Sequence, residues 1–279
     1  MTESSRPGLR CGAVLPGGSA TEQLDQAVLA EQAGWDAVFV WEGAAYGTDA
    51  WSLLAAMAAR TTRIRLGTML TPLPWRRPWT VASQAVTLDQ LSGGRAILAV
   101  GIGAELAGTG EVTGVRERAE RLDEGIDLIR GLWAGQPGYQ GQHYRYQPGE
   151  DSPGEAPRPV QETIPVWAVG LWPRPRSMRR ILRCDGIIPQ YDLDGRDPEP
   201  ADARLVRAWL DEHGARPGLD VIADGETPTG DPAAAAAAVA PWAAAGCTWW
   251  LETRWSGPGT TAQMRERLAA GPPGARDIS

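Results

Sequence analysis

What most constrains this chain is a rhythm. Segments that read as buried strands alternate with segments that read as amphipathic helices along the whole sequence. The strand-like runs are 9–16 (LRCGAVLP), 36–41 (DAVFVW), 63–70 (RIRLGTML), 96–101 (AILAVG), 165–170 (PVWAVG), 186–190 (GIIPQ), 219–224 (LDVIAD) and 247–253 (CTWWLET). DAVFVW and AILAVG are apolar almost throughout instead of alternating, as expected when both faces of a strand are covered. Helices are predicted over 21–34, 49–60, 78–91, 116–133, 175–183, 202–214, 231–245 and 260–270. Their punctuation is chemical: Thr21 and Asp49 as N-caps, Gly34 as a stop, Pro78 in a first turn, and Asp231-Pro232 opening an alanine-rich helix. Val81, Ala85, Leu88 and Leu91 fall on one face of the third helix. Leu122, Ile126, Ile129 and Trp133 make one stripe of the fourth.

Strict alternation implies a parallel sheet. Eight such units in 279 residues predict an α/β fold, a single (β/α)8 TIM barrel filling 1–279. An open doubly wound sheet is the rival. The rhythm breaks once, in a Pro/Gly-rich piece at 135–163 that reads as irregular.

Composition removes several functions. The net charge is −7 and no basic patch is dense, which argues against nucleic acid and an anionic membrane surface. No run approaches the roughly 20 apolar residues of a membrane span. The start, MTESSRPGLR, lacks the apolar stretch of a secretory leader. Cys11, Cys184 and Cys247 are far apart and read as reduced thiols of a cytoplasmic protein. His143 and His213 are isolated, so no metal site is expected. Every Lys/Arg position is arginine, which removes Schiff-base lysine chemistry.

Residues 88–103, LDQLSGGRAILAVGIG, carry two glycine pairs around a strand. They are no dinucleotide fingerprint, because the third position of G-x-G-x-x-G is Leu106. Gly93-Gly94 precede the strand and read as a helix stop. Gly101 and Gly103 follow it, at the C-terminal mouth where barrel active sites lie. There they either admit a flat ligand close to the backbone or simply make a loop.

The stretch TPLPWRRPWTVASQAVTLDQLSGGRAILAVGIG (71–103) resembles the hallmark segment of the bacterial luciferase-like family of flavin-dependent monooxygenases and coenzyme F420-dependent oxidoreductases. AEQAGWDAVFVWE (30–42), RAERLDEGIDLIRGLW (118–133), PVWAVGLWPRPRSMRRILRCDGIIP (165–189) and PWAAAGCTWWLE (241–252) fit as well. The resemblance implies a barrel, usually a homodimer, with a reduced cofactor across the mouth. With FMN the chemistry would be monooxygenation, fed by a separate flavin reductase. With F420 it would be hydride transfer to or from a small-molecule substrate. A non-catalytic flavin-binding barrel is the alternative.

The resemblance also implies site residues. Similar proteins often carry Asp-His after the second strand; here Glu42-Gly43 stands, so the acid is longer and the imidazole is gone. Glu42 reads as a general base, a hydrogen-bond acceptor to the ring edge, or a solvated loop carboxylate. Thr68, Met69 and Leu70 match a bulge with a non-proline cis peptide that supports the ring. Gly170, Leu171, Trp172 and Ser177, with Arg174 and Arg176 beside them, match a phosphate site, and Gln190 a hydrogen bond to it. The arginines 174, 176, 179 and 180 read equally as a solvated basic face. Of Trp249 and Trp250, alternation sends one toward the pocket and one to the core. Glu105 and Glu226 are further loop carboxylates. Ala107 stands where some deazaflavin enzymes carry Asn. That departure and the missing His lean the cofactor toward FMN.

Overall fold

The computed structural model describes residues 8–43, 47–104, 111, 114–149, 158–254 and 260–274. Eight strands form a closed parallel barrel: β1 (Arg10–Leu15), β2 (Ala37–Val40), β3 (Arg65–Thr68), β4 (Ala96–Gly101), β5 (Val166–Trp172), β6 (Gly186–Tyr191), β7 (Asp220–Gly225) and β8 (Trp249–Glu252). The strands neighbour one another in the order β3-β2-β1-β8-β7-β6-β5-β4. The ring closes where β3 meets β4, at Leu66↔Ala96 and Gly67↔Ile97. A Cβ on Gly67 would stand 2.4 Å from the carbonyl oxygen of Ile97, so the seam closes only over a residue with no side chain.

The helices are α1 (Ala20–Gln32), α2 (Ala50–Arg60), α3 (Pro78–Ser92), α4 (Val115–Trp133), α5 (Pro175–Ile181), α6 (Pro200–Glu212), α7 (Pro232–Ala244) and α8 (Thr260–Ala269). Asp49 caps α2, accepting from Ser52 N–H at 2.8 Å, and Asp231 caps α7. Gly93 ends α3 in the left-handed region at φ 65°. Helix α1 starts earlier than Thr21. Ser19 is its N-cap, because Glu22 lies three residues on and completes a capping box. Leu91 departs from the predicted α3 face: it is 55 % exposed, whereas Val81, Ala85 and Leu88 are buried. The 135–163 piece is partly regular. Tyr139–Gln140 and Arg145–Tyr146 pair antiparallel, and the Glu124 carboxylate of α4 accepts from the N–H groups of Gln142, His143 and Tyr144.

Two apolar layers result. One lies between strands and helices. The other fills the barrel, where Phe39, Trp167 and Trp249 meet: Trp167 is 5.4 Å from Phe39 and 5.2 Å edge-on to Trp249. Small neighbours make room for two indoles. A Cβ on Gly186 would lie 2.4 Å from the Trp167 ring. The Arg10 guanidinium covers Trp249 at 4.5 Å. Each fully buried large side chain contributes roughly 1.5–3 kcal/mol, so this aromatic plug closes the lower barrel firmly. Alternation does send the pair to opposite faces, but neither roofs the pocket: Trp249 floors the barrel, and Trp250 faces the outer layer beside Trp242.

Acidic side chains fasten the N-terminal ends of the strands. Asp36 accepts from Cys11 N–H at 2.7 Å, and Asp185 accepts from Val166 N–H at 2.9 Å while pairing with Arg130 and Arg216. Arg95 reaches the carbonyls of Ala58, Thr61 and Ile64, tying β4 to the end of α2. All three cysteines are free and buried.

Candidate functional site

Above the aromatic plug the barrel opens toward its C-terminal rim, and there a cavity of about 710 Å³ is found. That lies within the range of about 300–1,000 Å³ usual for small-molecule sites. Its floor comes from barrel-interior side chains: Val14, Met69, Ile222 and Leu251. Alternation along the strands aims these inward one layer above the aromatic plug. Trp41, Trp75 and Ile102 form the walls nearer the rim.

Six residues expected from sequence share this cavity: Glu42, Met69, Leu70, Gly101, Gly103 and Gln190. The peptide between Met69 and Leu70 is cis, inside the interval that the resemblance indicated. Gly101 is glycine for a local reason, since a Cβ there would touch both Leu70 methyls at 3.0 Å and Val169 at 3.2 Å. Gly103 sits at φ 69°, and a Cβ would press within 2.7 Å of Pro72 and the Trp75 ring. Its bareness therefore serves the seat of Trp75 first. Arg118, buried behind it, donates to the Gly103 carbonyl at 2.6 Å.

Thr68 lies behind the wall and is fully buried. Its hydroxyl is 2.8 Å from that of Thr71 and 3.3 Å from the Ala99 carbonyl. Thr71 in turn donates to Glu42 at 2.6 Å. The same Glu42 oxygen accepts from Trp51 Nε1 at 3.2 Å, and the other oxygen pairs with Arg76. Arg76 also donates to Gln84 at 2.9 Å. Glu42 is thus no solvated loop carboxylate; it is 7 % exposed, and burial pushes its carboxyl above the usual range while Thr71 and Arg76 pull it back. Both oxygens are engaged, which suits holding the wall in place better than taking a proton from a substrate.

The phosphate candidates are not brought to the cavity wall, Gln190 excepted. A Cβ on Gly170 would collide with Ile187 at 2.7 Å, so that glycine serves packing between strand and helix. Leu171 is exposed, and Trp172 packs against the outer core. Ser177 Oγ accepts from Leu171 N–H at 2.9 Å. Arg174 pairs with Asp192, Arg176 with Glu120, and Arg180 is buried against Asp123, so these arginines form no uniform solvated face.

Neither histidine meets the cavity: His143 lies against Glu120 and His213 stacks on Trp209. Glu226 pairs with Arg254, and Glu252 is buried with Thr227. Glu105 and Ala107 lie outside the described residues. Sequence reasoning missed Trp41, Trp75 and Asp224 in the cavity, and Thr71, Trp51 and Arg76 around Glu42. The TPLPWRRP motif held three of these six without indicating which side chains turn inward.

Comparison with known proteins agrees with this geometry. A family model described as luciferase-like monooxygenase matches residues 6–276. A protein of Mycobacterium tuberculosis named as a coenzyme F420-dependent oxidoreductase is 36 % identical over 200 residues, covering 68 % of this chain and 55 % of the relative. An F420-dependent glucose-6-phosphate dehydrogenase of Nocardia farcinica is 39 % identical over 140 residues, 44 % of this chain and 41 % of the relative. The matches therefore span roughly half of those relatives' length. In fold, the chain resembles a solved F420-dependent secondary alcohol dehydrogenase at a TM-score of 0.72, with 16 % identity over 95 % of this chain and 99 % of that one. By the family model and the closed barrel together, this chain belongs to the luciferase-like monooxygenase family.

Proposed function

We propose that this chain is an oxidoreductase that works with coenzyme F420, passing a hydride between the deazaflavin and a small organic substrate. The observation that carries the reading is the cavity itself: one apolar chamber at the C-terminal rim, walled by the Met69–Leu70 peptide, Gly101 and Gly103. A flat ring fits such a wall, because Gly101 adds no side chain beside Leu70 and Val169. The names of the relatives support F420 over the FMN favoured by the sequence departures.

When bound, the deazaflavin supplies the hydride donor or acceptor; the protein supplies position and a dry surface. Met69, Leu70, Ile222 and Leu251 exclude water from one side of the chamber. Gln190 offers a carboxamide at the rim. Glu42, clamped by Trp51, Thr71 and Arg76, fixes the segment after β2 against the 68–71 bulge.

Titration of the purified protein with F420 and with FMN, each read by its own fluorescence, tests this. Saturable F420 binding with turnover of an alcohol or ketone is the expected result. Binding of FMN alone would move the chain to monooxygenation fed by a separate reductase. Tight binding without turnover would make it a non-catalytic barrel, and silence with both would overturn the cofactor reading. Sedimentation equilibrium tests the homodimer that belongs to the same proposal.

A further inference from the structure

We propose that the substrate of this cavity is an uncharged, mainly apolar molecule, and that phosphorylated and carboxylated compounds are excluded. The inference rests on the site reading above and separates this chain from relatives named for a sugar phosphate.

Charge is the first argument. Among the described residues that line the cavity, the ionisable side chains are Glu42 and Asp224, both acidic; no arginine or histidine lines it. The nearby cations are committed elsewhere. Arg76 pairs with Glu42, Arg118 donates to the Gly103 carbonyl from behind the wall, and Arg254 pairs with Glu226. An anion entering an apolar chamber loses its hydration and needs a counter-charge or convergent donors in exchange.

The walls are the second argument. Trp41, Trp75, Met69, Leu70, Ile102 and Leu251 present apolar surface around one chamber. Trp41, 49 % exposed, offers its indole as apolar surface to a flat ligand. A ring-bearing alcohol or ketone would gain from this surface, whereas a polyhydroxylated sugar phosphate would bury hydroxyls against carbon. The few polar groups of the chamber suit one reacting oxygen and not a polyol.

The test uses a matched pair on the intact protein. Acetophenone and 4-acetylbenzoate share a skeleton and differ by one carboxylate; glucose 6-phosphate is the third ligand. Ligand-observed NMR titration gives each dissociation constant, with and without F420. Acetophenone is expected to bind about tenfold or more tightly than 4-acetylbenzoate, with no binding of glucose 6-phosphate. Trp41→Ala, at a half-exposed position, is expected to weaken acetophenone about fivefold. Equal or tighter binding of either anion, no binding of acetophenone, or indifference to Trp41→Ala would overturn the proposal. F420 binding is read separately by its fluorescence. If F420 fails to bind while acetophenone binds, the cofactor reading falls and this inference stands.

Discussion

Replacing Arg76 tests whether Glu42 is a structural clamp of the cavity wall. Arg76→Gln removes the cation from a carboxylate that is 7 % exposed and leaves Thr71 and Trp51 as its remaining partners. Breaking a buried ion pair by removing one partner typically destabilises by about 3–5 kcal/mol. The Arg76 side chain is 27 % exposed, so solvent screens part of the pair and the expected loss at neutral pH is about 2–3 kcal/mol.

The pH dependence fixes the sign. Burial already raises the Glu42 carboxyl, and Arg76 is one of the groups opposing that rise. Without Arg76 the folded carboxyl moves further above its unfolded value of 4.5. A group raised in the folded state contributes stability that is fully present below the unfolded value and is lost as pH rises through the folded one. The deficit of Arg76→Gln should therefore be small near about pH 4 and grow toward about pH 8, by at most about 1.4 kcal/mol per pH unit. Urea titrations of both proteins at the two pH values measure it. A deficit that is the same at both, or absent at neutral pH, would refute the clamp.

Other outcomes follow from the same structure. Gly67→Ala, which forces a methyl to 2.4 Å from the Ile97 carbonyl, should lower stability by about 1–3 kcal/mol or more, read as a urea midpoint shift. Gly101→Ala places a methyl against Leu70 and Val169 in the chamber wall and should weaken F420 binding by about tenfold, with a smaller change in urea midpoint. Hydrogen bonds from Arg116 and His143 hold the Glu120 carboxyl at about 2, below its ordinary 4.5. Its contribution is present above 4.5 and is lost as pH falls toward about 2, so Glu120→Gln should flatten the stability profile across that acid window. Burial pushes the Cys11 thiol up to about 12 and the Cys184 thiol to about 11, so a thiol reagent should label the native protein slowly and the unfolded protein at once.

The sequence by itself determined the barrel. Continuous apolar runs punctuated by caps and glycine stops require strands covered on both sides, and eight of them with intervening helices predict a barrel, whose closure over an open sheet the β3–β4 pairing decided. The family resemblance likewise pointed to the rim positions 68–70, 101 and 103, although the residues alone left the two glycines open between a ligand seat and a loop. What the tertiary structure alone decided is which side chains face one another across the ring. Glu42 reads as a loop acid until Trp51, Thr71 and Arg76, from three later parts of the chain, converge on it. That Ile181 and Ile187 crowd the place a Cβ on Gly170 would take is likewise invisible in the sequence around it. Trp249 and Trp250 are equivalent in sequence, and only barrel closure sends one into the aromatic plug and the other outward. Local conformation is set by neighbours in the chain, whereas the field and the space around a side chain are set by residues far along it, which no window of sequence contains.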